Sequence, residues 1–130
     1  MATLSDEDVA LLSEPQLAHL SVIDFDGAPH VTPVWVDTDG EYILINTAKG
    51  RAKYENLRRD PRVAVSVVDR NDDWRTLLVQ GTAELVEEGA DAHIDKLAKK
   101  YLGKEQYPFR QPGEERVIVR ISPTHKLRQG

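Results

Sequence analysis

The 130-residue chain contains no cysteine, which excludes disulfide frameworks, thiolate nucleophiles, iron–sulfur clusters and cysteine-ligated zinc. Any redox chemistry therefore needs a bound cofactor to carry electrons. Long apolar runs are also missing, and none approaches the roughly 20 residues of a membrane helix, so no membrane partner is expected. The acidic N-terminal run MATLSDEDVA resembles neither a secretory signal nor a transit peptide, and a cytoplasmic protein is the expectation. A formal net charge of −5 lacks the basic footprint of a general nucleic-acid binder. Neither a Gly-x-Gly-x-x-Gly turn nor a Gly-Lys-Ser/Thr loop occurs, which removes the two commonest nucleotide fingerprints. There is no Gly-x-Ser-x-Gly elbow, and no carboxylate pair stands out from ordinary surface acids. His19, His30, His93 and His125 show no ligand-like spacing, so no metal is assigned.

What is present reads as one compact domain. Hydrophobic residues make up 40% and charged residues 30% of the chain, a globular composition. A chain of this size buries roughly 65–70% of its unfolded surface and needs no covalent staples. Ser5, followed by three acids, caps a short helix that ends near Pro15. Ala18, Leu20 and Val22 then alternate with His19, Ser21 and Ile23, and Asp24 to Gly27 forms a turn. Val31, Pro33 and Trp35 alternate with Thr32, Val34 and Val36 up to a second turn, Asp37 to Gly40, before Tyr42 to Ile45. Strand, Asp-Gly turn and strand in succession is the mark of a β-meander.

A helix is expected from Arg51 to Arg59, stopped by Asp60-Pro61. Val63, Val65 and Val67 mark a strand that ends in a polar turn at Asp69 to Asp73. Trp74 to Val86 reads as a long strand, with Gly81 at a bulge or tight bend. Ala90, Ile94, Leu97, Ala98 and Tyr101 share one face of an amphipathic helix, and Gly103 is a natural C-cap. Gln106 to Gly113 reads as a loop. Val117, Val119 and Ile121 form a last strand, which Pro123 is expected to end. Six short-linked strands in so small a chain need a closed or split barrel to hide their edges. The expected class is α+β, mainly β, a six-stranded antiparallel split barrel flanked by two to three helices.

One segment departs from the acidic average. Positions 49 to 62 hold six of the 17 lysines and arginines against two acids, a local charge of +4 beside −9 for the remainder. A strand ends there, the small-residue turn Thr47-Ala48-Lys49-Gly50 follows, and a helix begins with its free N–H groups facing the turn. Such a corner favours a phosphate. Lys53 lies one turn before Leu57 and three residues from Asn56, a spacing that lets both face one pocket. The alternative is a solvated helix face with Arg51–Glu55 and Glu55–Arg59 pairs. That alternative is preferred for Arg58 and Arg59, and the phosphate reading for Thr47, Gly50, Arg51 and Lys53.

Taken in order, Gly27-x-Pro29-x-Val31-x-Pro33-Val34-Trp35, Thr47-x-x-Gly50-Arg51-x-Lys53-x-x-Asn56-Leu57, Asp60-Pro61-Arg62-Val63 and Gly81-Thr82-Ala83 resemble the flavin/deazaflavin split-barrel family. That family includes pyridoxamine-phosphate oxidases and oxidoreductases that use the deazaflavin coenzyme F-420. The run from Arg51 to Arg62 is more similar to the F-420 branch. The final residues, Lys126 to Gly130, lack the closing Trp and Arg motif of the vitamin-phosphate oxidases. The resemblance implies that Thr47, Arg51, Lys53 and Asn56 bind the cofactor phosphate. It implies that the ring packs on the backbone of Thr32, Pro33, Val34 and Trp35 across a homodimer interface, and that Trp74 reaches in from the second subunit. A polyanionic deazaflavin tail matches the surface of Lys49, Arg51 and Arg58.

The implied activity is hydride transfer from C5 of reduced F-420 to an unsaturated small molecule. No side chain is a convincing proton donor, although Tyr54 or His30 could serve if either faces the pocket. The alternatives are an FMN-dependent oxidoreductase on the same barrel and a non-catalytic carrier of flavin, deazaflavin or heme. A single-strand nucleic-acid barrel has only Tyr54 and Tyr42 to offer for stacking, so no nucleic-acid partner is expected.

Overall fold

A computed structural model describes residues 2–127; Arg128 to Gly130, part of the C-terminal comparison above, lie outside them. In chain order the elements are α1 (Asp6–Ser13), β1 (Ala18–Ile23), β2 (Pro29–Val34), β3 (Asp37–Thr38), β4 (Ile43–Ala48), α2 (Ala52–Arg59), β5 (Arg62–Asp69), β6 (Asp72–Val86), α3 (Ala90–Leu102) and β7 (Arg116–Leu127). The strands form one sheet in the order β2-β1-β5-β6-β7-β4-β3, and every pairing is antiparallel.

The two edge strands are consecutive in the chain. Trp35 and Val36 alone separate β2 from β3, so the sheet must curl until its two edges nearly meet. That arrangement is a split barrel with a seam at Trp35-Val36. Backbone groups at such a seam have no ladder partner and must be satisfied otherwise. Here α3 supplies the partners. The Val36 N–H donates to the Tyr101 hydroxyl at 3.0 Å, and the Val36 carbonyl accepts from Lys100 Nζ at 2.6 Å. Lys100 also donates to the Leu12 carbonyl at 2.6 Å, and Tyr101 to the Gln16 carbonyl at 2.5 Å. Two neighbouring side chains of α3 thereby join the seam to the end of α1.

Alternation places Leu20, Val22, Val63, Val65, Val67, Val79, Val119 and Ile121 inside the barrel, where Leu11, Leu12 and Leu57 of the helices close it. Ser5 and Asp8 form a reciprocal capping box on α1, which anchors the helix start. Gly103 ends α3 at a φ of 72°, a conformation that glycine adopts without steric cost.

Four expectations are corrected. The sheet has seven strands among the described residues, because Asp37 and Thr38 pair with Leu44 and Ile43 where a turn was expected. β6 begins at Asp72, so the link to β5 is shorter than five residues. β4 continues to Ala48. β7 runs through Pro123 to Leu127, because a register shift beside Gly81 removes the demand on the missing proline N–H. Gly81 itself is read correctly as a tight point. A Cβ there would stand 2.5 Å from the Ser122 carbonyl oxygen.

Candidate functional site

A cavity of about 330 Å³ opens beside the seam. Pro33, Val34 and Trp35 line it from the end of β2, Thr47 from the end of β4, and Arg51 and Lys53 from the start of α2. All six belong to the residues selected from sequence. They converge for a local reason: β4 ends at the same rim of the barrel where β2 crosses to β3. Gly50, at a φ of 89°, lets the chain turn from strand to helix within three residues. Arg51 is the N-cap of α2 and makes no side-chain capping bond.

The polar groups here are incompletely satisfied. Thr47 is 1% exposed, and its Oγ1 has no hydrogen-bond partner among the described residues. Lys53 Nζ donates to Thr32 Oγ1 at 3.1 Å. Among the described residues no carboxylate lies within salt-bridge distance of Lys53 or Arg51. Burial, reinforced by the neighbouring Arg51 charge, pushes the Lys53 ammonium below its ordinary value. A buried hydroxyl without a partner beside two cations without a salt-bridge partner is a cradle suited to a phosphate.

The remaining sequence-selected residues lie elsewhere. Thr32 sits behind Lys53 and holds it. Lys49 turns away to Glu87, at 2.9 Å, and Glu115, at 4.0 Å. Asn56 is buried and accepts a bond from Arg59 at 2.9 Å, so it does not share the cavity with Lys53. Trp74 is 84% exposed and borders a separate depression with Glu7, Asp72 and Arg75. Of the two pairs in the solvated-face alternative, neither Arg51–Glu55 nor Glu55–Arg59 forms among the described residues: Glu55 pairs with Arg58 at 3.3 Å, and Arg59 donates to Asn56 and the Ile23 carbonyl. Tyr54 and His30 are both absent from the cavity wall; Tyr54 packs under the Arg58 guanidinium instead.

Sequence reasoning missed half of the wall. Leu17, Asn46, Ile94, Leu97, Tyr107, Phe109 and Arg116 complete it. Trp35 stacks on Tyr101 with ring centroids 5.1 Å apart and meets Tyr107 edge-on at 6.2 Å. Tyr107 in turn meets Phe109 edge-on at 5.7 Å. The segment carrying these two aromatics is tied to α3, since Asp95 accepts from the Tyr107 N–H and from Arg110, each at 2.8 Å. Two aromatic residues within a proline-containing polar loop were the available signal.

Behind the wall runs a chain of polar contacts. Arg116 pairs with Glu114 and donates through Nε to Asn46 Oδ1 at 2.8 Å. Asn46 Nδ2 donates to the Ala90 carbonyl at 2.9 Å and contacts His93 Nδ1 at 3.1 Å. His93 Nε2 stands 3.3 Å from Asp37 Oδ2, which also meets Lys96 at 3.1 Å. Burial opposes ionisation of Asp37, but His93, the backbone and Lys96 together hold it well below the usual carboxylate range. Among the described residues, no cluster of three or more metal-ligating side chains occurs.

Comparison with known proteins agrees with this architecture. A protein named F420 reductase is 32% identical, covering 92% of this chain and 95% of its own, with a TM-score of 0.80. A conserved hypothetical protein from Mycobacterium tuberculosis is 28% identical over 97% of this chain and 82% of its own, with a TM-score of 0.69. General stress protein 26 from Bacillus anthracis shares the fold at 17% identity and a TM-score of 0.66, over 95% and 97% of the two chains. The family model described as pyridoxamine 5'-phosphate oxidase matches residues 4–127. With its curled antiparallel sheet and a match across nearly its whole length, the chain belongs to the pyridoxamine 5'-phosphate oxidase family.

Proposed function

We propose that the protein is an oxidoreductase that uses coenzyme F-420, with the cofactor phosphate in the cradle of Thr47, Arg51 and Lys53. The observation that carries this reading is the orphaned Thr47 hydroxyl beside a half-buried, unpaired Lys53. These residues fit a phosphate group: the hydroxyl and two cations offer donors that the protein itself leaves unused. When bound, the reduced deazaflavin supplies a hydride to an unsaturated small molecule; the protein supplies binding, orientation and electrostatics. Thr32 holds the Lys53 ammonium in place, and the β2 end at Pro33, Val34 and Trp35 offers a rigid platform for the ring. The identity with F420 reductase supports the deazaflavin over FMN. Lys49 and Arg58 lie outside the cavity, on the path a long polyanionic tail takes in this reading.

A second copy completes the site. β2 is a sheet edge, and its Val31 is 62% exposed. Trp74 is far too exposed to act as a core anchor, which suits the expected contact across a homodimer. The same proposal places the protein in the cytoplasm, without nucleic-acid or membrane partners.

Side-by-side fluorescence titration with F-420 and FMN tests the reading. Saturable binding of F-420, tighter than FMN, is the expected result. Tighter binding of FMN makes the protein a flavin enzyme of the same fold, and binding of neither overturns the proposal. Tight F-420 binding with no oxidation across enones, quinones and tetrapyrroles identifies a carrier.

A further inference from the structure

We propose that Arg116 is a substrate-binding residue that donates to an uncharged carbonyl oxygen and selects it over a carboxylate. This deepens the oxidoreductase reading and rests on it for the meaning of the ligand. Arg116 is 6% exposed and lines the cavity. Its Nε is taken by Asn46 and its Nη1 by Glu114, whereas Nη2 has no partner among the described residues. The guanidinium carbon lies 5.2 Å from the centroid of the Tyr107 ring, a cation–π distance.

The orientation of this group is over-determined. Asn46 Nδ2 donates to the Ala90 carbonyl, so Oδ1 is the atom that faces Arg116. The same nitrogen meets His93 Nδ1, which must accept and so leaves the ring hydrogen on Nε2, towards Asp37. A guanidinium held by an amide, a carboxylate and a ring face presents its free Nη2 donors in a fixed direction.

Charge then sets the preference. Glu114 is nearly as buried as Arg116, with side-chain exposures of 6% and 3%, and its negative charge cancels that of the guanidinium. A second anion would meet the Glu114 field; a neutral, polar oxygen would not. Arg51 and Lys53 have no such close counter-ion. Glu114 also feels the Arg51 charge, but only Arg116 meets it at contact distance, so one cavity holds two kinds of donor: cations without a salt-bridge partner, suited to a phosphate, and a paired arginine beside Ile94, Leu97, Tyr107 and Phe109. That second group suits a flat, apolar, uncharged molecule with a carbonyl at its edge.

Three probes with one ring system separate the possibilities: 1-acetonaphthone, 1-ethylnaphthalene and 1-naphthoate. Their binding is measured by saturation-transfer NMR on the whole chain, alone and saturated with F-420. The ketone is expected to bind about tenfold tighter than the ethyl compound, the equivalent of one charge-assisted hydrogen bond, and, once F-420 occupies Arg51 and Lys53, tighter than the carboxylate. Glu114→Gln should move the preference to 1-naphthoate by about tenfold. Arg116→Met should abolish the ketone preference; the double variant Glu114→Gln/Arg116→Met removes both charges together and serves if the single one does not fold. No ketone preference in the unmodified protein, or one that survives the double variant, overturns the proposal. Failure of F-420 and FMN to bind overturns the cofactor reading instead, while the comparison of ketone with ethyl compound on the chain alone still decides Arg116.

Discussion

Lys53 places an ammonium in a half-buried site whose one bond is to the Thr32 hydroxyl. Such a charge costs stability in the unliganded protein and is offset only when an anion arrives. Lys53→Met should therefore act in opposite directions. The unliganded protein should become slightly more stable, seen as a higher urea midpoint. Cofactor affinity should fall by about 1.5–3 kcal/mol, the loss of one charge-assisted bond, read from the dissociation constant. An unchanged constant removes Lys53 from the site. That Thr47, Arg51 and Lys53 share one cavity is legible in sequence, because a strand-to-helix corner positions its own residues. That Lys49 and Asn56 lie off the cavity wall is not legible there, because Glu87, Glu115 and Arg59 engage them, and a motif does not display its competitors.

At the scale of elements, the strands of the meander and the three helices were visible as changes of period from two to about 3.6. Their ends were less so. β7 passes through Pro123 because the sheet shifts register beside Gly81, and β3 exists only because β4 is there to pair with it. Pairing partners override local breakers. Gly81→Ala tests the close approach of β6 and β7. Its new Cβ meets backbone, the Ser122 carbonyl oxygen at 2.5 Å, and backbone cannot rotate away as a side chain would. A loss of about 1–3 kcal/mol is expected, measured by denaturant unfolding. Stability equal to that of the unmodified protein would show that the two strands separate freely there.

The whole molecule is held closed by α3, whose Lys100 and Tyr101 satisfy the seam while its His93 and Lys96 meet Asp37 of β3. Asp37 titrates below its ordinary value of 3.8, so the folded state binds its proton less readily than the unfolded chain. The stability it contributes is complete above that ordinary value and is lost as pH falls below about 4. Asp37→Asn should lower stability at pH 7 and flatten the decline of the unfolding midpoint on acidification. Parallel curves for the two proteins would remove Asp37 from the acid limb.

By itself, the order of residues determined the alternating strands, the helix faces, the absence of thiol chemistry and the basic corner at positions 47 to 53. Each of these depends on neighbours within a few residues. Tertiary structure alone decided the strand order, the place of the seam between β2 and β3, and that the last wall of the cavity comes from α3, β7 and the loop between them. Asn46 and Arg116 touch across 70 positions of chain. Such a contact arises from strand order and curl, which side-chain periodicity leaves open because many pairings bury the same apolar faces.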